Sequence, residues 1–257
     1  MKLKKSELRD FLLEKADLYA RKSFIEEDPI LIPHRFCQND DIEISGLLAA
    51  TLAWGQRKTI IAKSEDLIER MDDAPADFVK NASTKDLETF NGFVHRTFQA
   101  EDIKGLISAL KVLYSEYQNI GDFFGQHLDS QEHLGAAFTA FKRYLLDNGL
   151  PNRAAKHFGD PAKGSACKRI TMYSRWMARS AKEGIDFGIW DLNPALLSLP
   201  LDVHSGRVAR SLGLLKRKQS DWKAVRELDH AIRKIEPNDP ARLDYALFGL
   251  GVYEGWK

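Results

Sequence analysis

Residues 42–54 read IEISGLLAATLAW. Only Glu43, Ser45 and Thr51 interrupt an apolar surface that runs nearly all round a helical projection. A helix of that kind has no solvent face and belongs in the centre of a domain. Outward from it, apolar residues recur at helical spacing over 5–21, 57–71, 85–90, 102–118, 120–127, 131–147, 167–181, 205–214, 221–235 and 239–250. Ser6 is the expected N-cap of the first helix. Asp239-Pro240 reads as an N-cap with proline at the first helical position. Residues 22–42 read as a loop, and a break is expected near Pro75. No run alternates convincingly enough for a strand. The expected fold class is all-α.

The chain of 257 residues has room for one large or two small domains. With 44% hydrophobic and 29% charged residues it has globular composition, which excludes wholesale disorder. No apolar run approaches a membrane span, and MKLKKSELRD lacks an apolar signal core. A cytoplasmic location with no membrane partner is the expectation. Two cysteines, Cys37 and Cys167, cannot build a four-cysteine zinc or iron–sulfur site. Nothing in the sequence calls for a metal or a cofactor.

A net charge of +1 conceals an asymmetry. Residues 151–220 hold 13 Lys and Arg against five acids, a local balance of +8, so the remainder carries −7. A basic third suggests a face for a polyanion. Lys/Arg-rich helices that are merely solvated would read the same way.

The segment with most chemistry is 199–214, LPLDVHSGRVARSLGL. An aspartate ahead of a helix is most simply an N-cap. The same placement also holds a carboxylate at a helix mouth for electrostatic or acid–base work. Upstream, Gly164-Ser165-Ala166-Cys167-Lys168 leads into a helix, and GLLAATLAWGQRKT ends in a Gln followed by two cations.

These segments resemble the helix-hairpin-helix DNA glycosylase superfamily. LPLDVHSGRVARSLGL resembles its catalytic-aspartate segment, Asp221–Lys234 its next amphipathic helix, and PNDPARLDYALFGLG its closing helix. The likeness covers residues 42–71 and 164–252, about half the chain. The 34 positions from Lys168 to Asp202 resemble the longer gap of the archaeal 8-oxoguanine glycosylases. The resemblance implies two helical subdomains with a helix-hairpin-helix element and the site in a cleft between them. Residues 30–165 would form one, and 1–29 with 166–257 the other.

The resemblance further implies excision of a damaged base from double-stranded DNA by a monomer, followed by strand nicking. The flipped base exposes its glycosidic bond. Asp202 would stabilise positive charge on the sugar, and Lys168 would attack C1′ and form a Schiff base. Lys163 is the competing lysine. Gln56, Arg57, Lys58, Gly164, Arg169, His204 and Arg207 would meet the DNA. Trp54 and Trp176 are expected in the core rather than on a base, and His34-Arg35 in a solvated loop. A second hypothesis is a non-catalytic DNA- or RNA-binding protein on the same fold, with Asp202 as a cap alone. A third is an all-helical interaction module with an incidental basic patch.

Overall fold

The computed structural model describes residues 4–128 and 133–256. Eleven α-helices occur among them: α1 Lys5–Tyr19, α2 Asn39–Leu52, α3 Arg57–Glu69, α4 Pro75–Asn81, α5 Ala100–Glu116, α6 Ile120–Gln126, α7 Gly135–Asp147, α8 Lys168–Ala178, α9 Val203–Ser211, α10 Trp222–Ile232 and α11 Leu243–Val252. The fold is all-α apart from one antiparallel hairpin, β1 Val94–His95 with β2 Phe98–Gln99.

α2 is buried from Ile42 to Leu52, as an all-round apolar helix must be. Its one buried carboxylate, Glu43, accepts from the Tyr114 hydroxyl, the Trp190 indole and the backbone N–H groups of Ile120 (3.1 Å) and Gly121 (3.4 Å). Four donors let a buried acid sit among hydrocarbon. They also tie α2 to α5, α6 and the segment after α8. Gly46 lets α8 approach, since a Cβ there would stand 2.6 Å from the Met177 methyl.

Buried apolar residues form two clusters. The larger runs from Ile30 to Leu197 with Ala241 and Tyr245. The smaller joins Leu12 and Ala16 of α1 to α9, α10 and α11. α1 packs on α11 at Gly249, where a Cβ would lie 2.1 Å from the Tyr19 ring. The expected boundary at 165/166 does not coincide with this division. Met172, Tyr173, Trp176 and Met177 of α8 belong to the larger cluster.

Several local expectations need correction. The break expected near Pro75 is present, since α3 ends at Glu69, but Pro75 then begins a further helix, α4, because proline suits the first turn. Residues 86–90 are a 3-10 turn, and 22–35 hold three more. Ser6 lies inside α1, with Lys4 in the cap position. Residues 131 and 132 of the expected 131–147 helix lie outside the described residues. Asp239 precedes a 3-10 turn at Pro240–Arg242 but makes no side-chain cap; its carboxylate is bound by Arg179 at 2.9 Å. A charge-assisted bond to the guanidinium is stronger than one to a neutral backbone amide. Among the described residues, no helix is long and apolar enough to cross a membrane.

Candidate functional site

Two helix starts build the site. Asp160 accepts from Ala162 N–H at 3.0 Å and starts a 3-10 turn over Pro161–Lys163. Gly164 ends the turn at φ +82°, a conformation that favours glycine. Its carbonyl accepts from Trp222 N–H at 3.2 Å, which fastens the turn to α10. Cys167 then takes φ +53°, and the chain enters α8 with Lys168 as its first residue. The other start is α9. Asp202 Oδ1 accepts from His204 N–H (2.8 Å) and Ser205 N–H (2.9 Å), and the Ser205 hydroxyl lies 3.2 Å away. Asp202 N–H donates back to Ser205 Oγ at 2.9 Å, completing a capping box. These contacts fall on Oδ1; Oδ2 has no hydrogen bond among the described residues.

Lys168, Asp202, His204 and Arg57 line one pocket of about 480 Å³. Phe24, Met172 and Phe248 supply apolar wall, and the Arg57 guanidinium lies 5.2 Å from the Phe248 ring centroid. Lys168 enters no ion pair among the described residues. Lys168 and Asp202 both act electrostatically on the same third group, the Asp244 carboxyl. The chain thus gathers a lysine and an aspartate 34 positions apart around one hollow.

The remaining expected residues do not line it. Gln56 and Lys58 are exposed at the start of α3, with Lys58 bordering a different depression near Glu26 and Glu27. Gly164 is exposed at its turn, Arg207 is exposed on α9, and Lys163 is exposed on the 3-10 turn. Arg169 points away and lines a second pocket. Its guanidinium donates to the Thr51 and His157 carbonyls and lies 4.8 Å from the Trp54 ring. Trp176 is fully buried. His34 Nε2 is 2.7 Å from the Ile185 carbonyl, and Arg35 pairs with Asp73 at 3.0 Å.

The family model described as "Protein of unknown function (DUF2400)" matches residues 28–253. The chain belongs to the DUF2400 family. No curated protein and no solved structure matches it.

Three pocket residues of this DUF2400 chain escape a reading by motif: Asp28, Asp244 and Arg175. Asp28 is buried and its Oδ1 accepts from Ile30 N–H at 3.1 Å. Burial raises its carboxyl, against the pull of Arg175, Lys168 and Arg57. Asp244 is pushed up to about 6, first by burial and then by the charges of Asp202 and Asp186, with Arg175 opposing. Arg175 is hydrogen-bonded to Asp244 and lies 3.4 Å from Asp186 Oδ1. Behind it Arg179 bonds Asp186 (2.9 Å), Asp239 (2.9 Å) and Glu183 (3.2 Å). Arg175 and Arg179 contribute to the +8 of residues 151–220, yet both are buried in this network. That part of the charge is internal wiring, not a polyanion face. An acid inside the otherwise apolar LDYALFGLG was the one available signal for Asp244.

Proposed function

We propose that this protein is a DNA glycosylase with an associated lyase step, acting on a damaged base in duplex DNA as a monomer. The observation that carries the reading is the meeting of an unpaired Lys168 and a half-exposed Asp202 on one pocket. On this reading the two helical parts flank the pocket, and residues 161–167 serve as the hairpin before the catalytic lysine.

The chemistry needs a carboxylate that stays fixed while charge develops on the sugar. Asp202 is held through Oδ1 by two backbone amides, which leaves Oδ2 free to meet the reacting sugar without reorganisation. The Lys168 nitrogen forms its bond to C1′ as the glycosidic bond breaks, and the electron pair leaves with the base. The departing base takes up a proton, which the raised carboxyl of Asp244 is suited to lend. The C1′–O4′ bond then opens, with a proton from the bound nitrogen passing to O4′, and the resulting Schiff base permits β-elimination of the 3′ phosphate. Arg57, at the pocket wall, is positioned for a phosphate of the strand.

The test is incubation of the purified protein with duplexes that each carry one lesion or an abasic site. Base release is read after alkali and strand nicking without it. Release from at least one lesion duplex is the expected result. Neither release nor nicking on the whole panel overturns the reading. The capping bonds to Asp202 favour one alternative, a non-catalytic nucleic-acid-binding protein in which this residue only starts α9. That alternative expects salt-dependent binding that Asp202→Asn leaves unchanged.

A further inference from the structure

A second pocket of about 250 Å³ lies on the other side of Lys168. Its walls are aromatic: Trp54, Phe138, Phe141 and Phe158. Its charged groups are all cationic, Lys142, Lys156, Lys168 and Arg169, beside the neutral polar Thr51, His157 and Ser165, with no acid among the lining residues. Arg169 is the unusual member. Burial alone pulls its guanidinium down to about 10. Its hydrogen bonds go to two carbonyls, and no carboxylate among the described residues pairs with it. A partly buried cation without a counter-ion is costly unless an anion arrives.

The neighbouring charges sharpen this. Lys156 and Arg169, after burial itself, hold the His157 imidazole down at about 4, so the ring is neutral near pH 7. Its Nε2 is buried without a hydrogen-bond partner among the described residues. The two acids closest in effect are already engaged. Asp102 has Arg153 at 3.5 Å, and Asp160 accepts from Thr139 and Ala162, each at 3.0 Å. Lys142 and Lys156 enter no ion pair among the described residues.

We infer that this pocket binds a nucleotide, with its base against the Phe138, Phe141 and Phe158 walls and its phosphate between Lys142, Lys156 and Arg169. An aromatic wall accepts any planar ring. Three cations around one opening suit a phosphate better than a single carboxylate. The inference stands on the second pocket alone and does not depend on base excision at the first. The nucleotide comes either free as a monophosphate or as one unit of a DNA strand.

The test is calorimetric titration of the full chain with the four deoxynucleoside 5′-monophosphates, the matching nucleosides, inorganic phosphate and a single-stranded oligonucleotide. Lys142→Gln and Lys156→Gln are titrated in parallel; both change lysines outside the excision site. A free-nucleotide site gives monophosphate binding that is weakened about tenfold by each variant. Nucleosides bind still more weakly, and the oligonucleotide is unaffected. A strand site gives oligonucleotide binding that the same variants weaken and monophosphate competes away. If neither ligand's affinity moves in either variant, or nucleosides and phosphate bind as well as the monophosphates, the inference is overturned.

Discussion

Asp202 caps α9, and on the proposed reading it also stabilises charge on the sugar; two substitutions at it separate the two roles. Asp202→Ala removes the oxygen that receives His204 N–H, Ser205 N–H and the Ser205 hydroxyl. Loss of such a cap costs about 0.5–2 kcal/mol; three contacts place this one in the upper half of that range. For a chain of this size each kcal/mol lowers Tm by about 2–4 °C. Asp202→Asn keeps an acceptor at Oδ1, and Asn caps as well as Asp. It gives up a charge at the helix N-terminus, worth about 0.3–1 kcal/mol. It also relieves the repulsion that Asp202 exerts on buried Asp244, which acts in the opposite direction. The net change in stability for Asp202→Asn is therefore within about 0.5 kcal/mol. Its effect on excision is large, because the fixed charge opposite the sugar is gone; about 10²–10³-fold is the expected loss in single-turnover rate. The assays are urea denaturation of both variants and base release on the lesion duplex that the wild-type protein processes. An Asp202→Asn protein that excises within about threefold of wild type would reduce the residue to a cap. An Asp202→Asn protein as unstable as Asp202→Ala would refute the capping geometry instead.

Other consequences follow from the same structure. Gly249→Ala forces a methyl into the Tyr19 ring where α1 meets α11, and it should cost about 1–3 kcal/mol in urea denaturation; an unchanged midpoint would mean that α1 does not dock there. Arg179→Met leaves buried Asp186 with Tyr245 at 2.8 Å and Arg175 as its remaining partners, and a loss of about 3–5 kcal/mol is expected. The carboxyl of Asp244 titrates at about 6 in the folded chain against an ordinary 3.8, so the native state binds the extra proton in that interval. Its contribution to stability is full below about pH 4 and is lost as pH rises through about 6. Urea midpoints of wild type and Asp244→Asn should therefore diverge in favour of the variant between pH 4 and pH 7. Parallel profiles would mean that Asp244 stays charged throughout.

What the sequence disclosed about the site, and what it hid, follows from how local each determinant is. The all-round apolar face of 42–54 needs only its own residues to be read, and α2 is buried accordingly. Asp202 announces itself by standing just ahead of an amphipathic helix, and its cap closes within three residues. Lys168 follows a glycine-containing turn and starts a helix, again a local feature. Asp244 and Arg175 carry no such mark, because their partnership spans 69 positions and exists only once α8 and α11 pack. Asp239 misleads for the same reason. Its cap is lost to Arg179, 60 positions away. Arg169 is expected to meet DNA beside Lys168, yet the second pocket and the Trp54 ring claim it, again through contacts distant in sequence. α4 was concealed by Pro75, since a proline reads equally well as a stop or a start.

The central claim is that the amine of Lys168 attacks the sugar at the mouth of the pocket. Borohydride trapping on lesion-bearing and abasic duplexes, with Lys168→Gln and Lys163→Gln beside the wild type, tests it most directly. The account predicts a covalent protein–DNA adduct for wild type and Lys163→Gln that is absent for Lys168→Gln. An adduct that persists in Lys168→Gln, or one that Lys163→Gln abolishes, would contradict it.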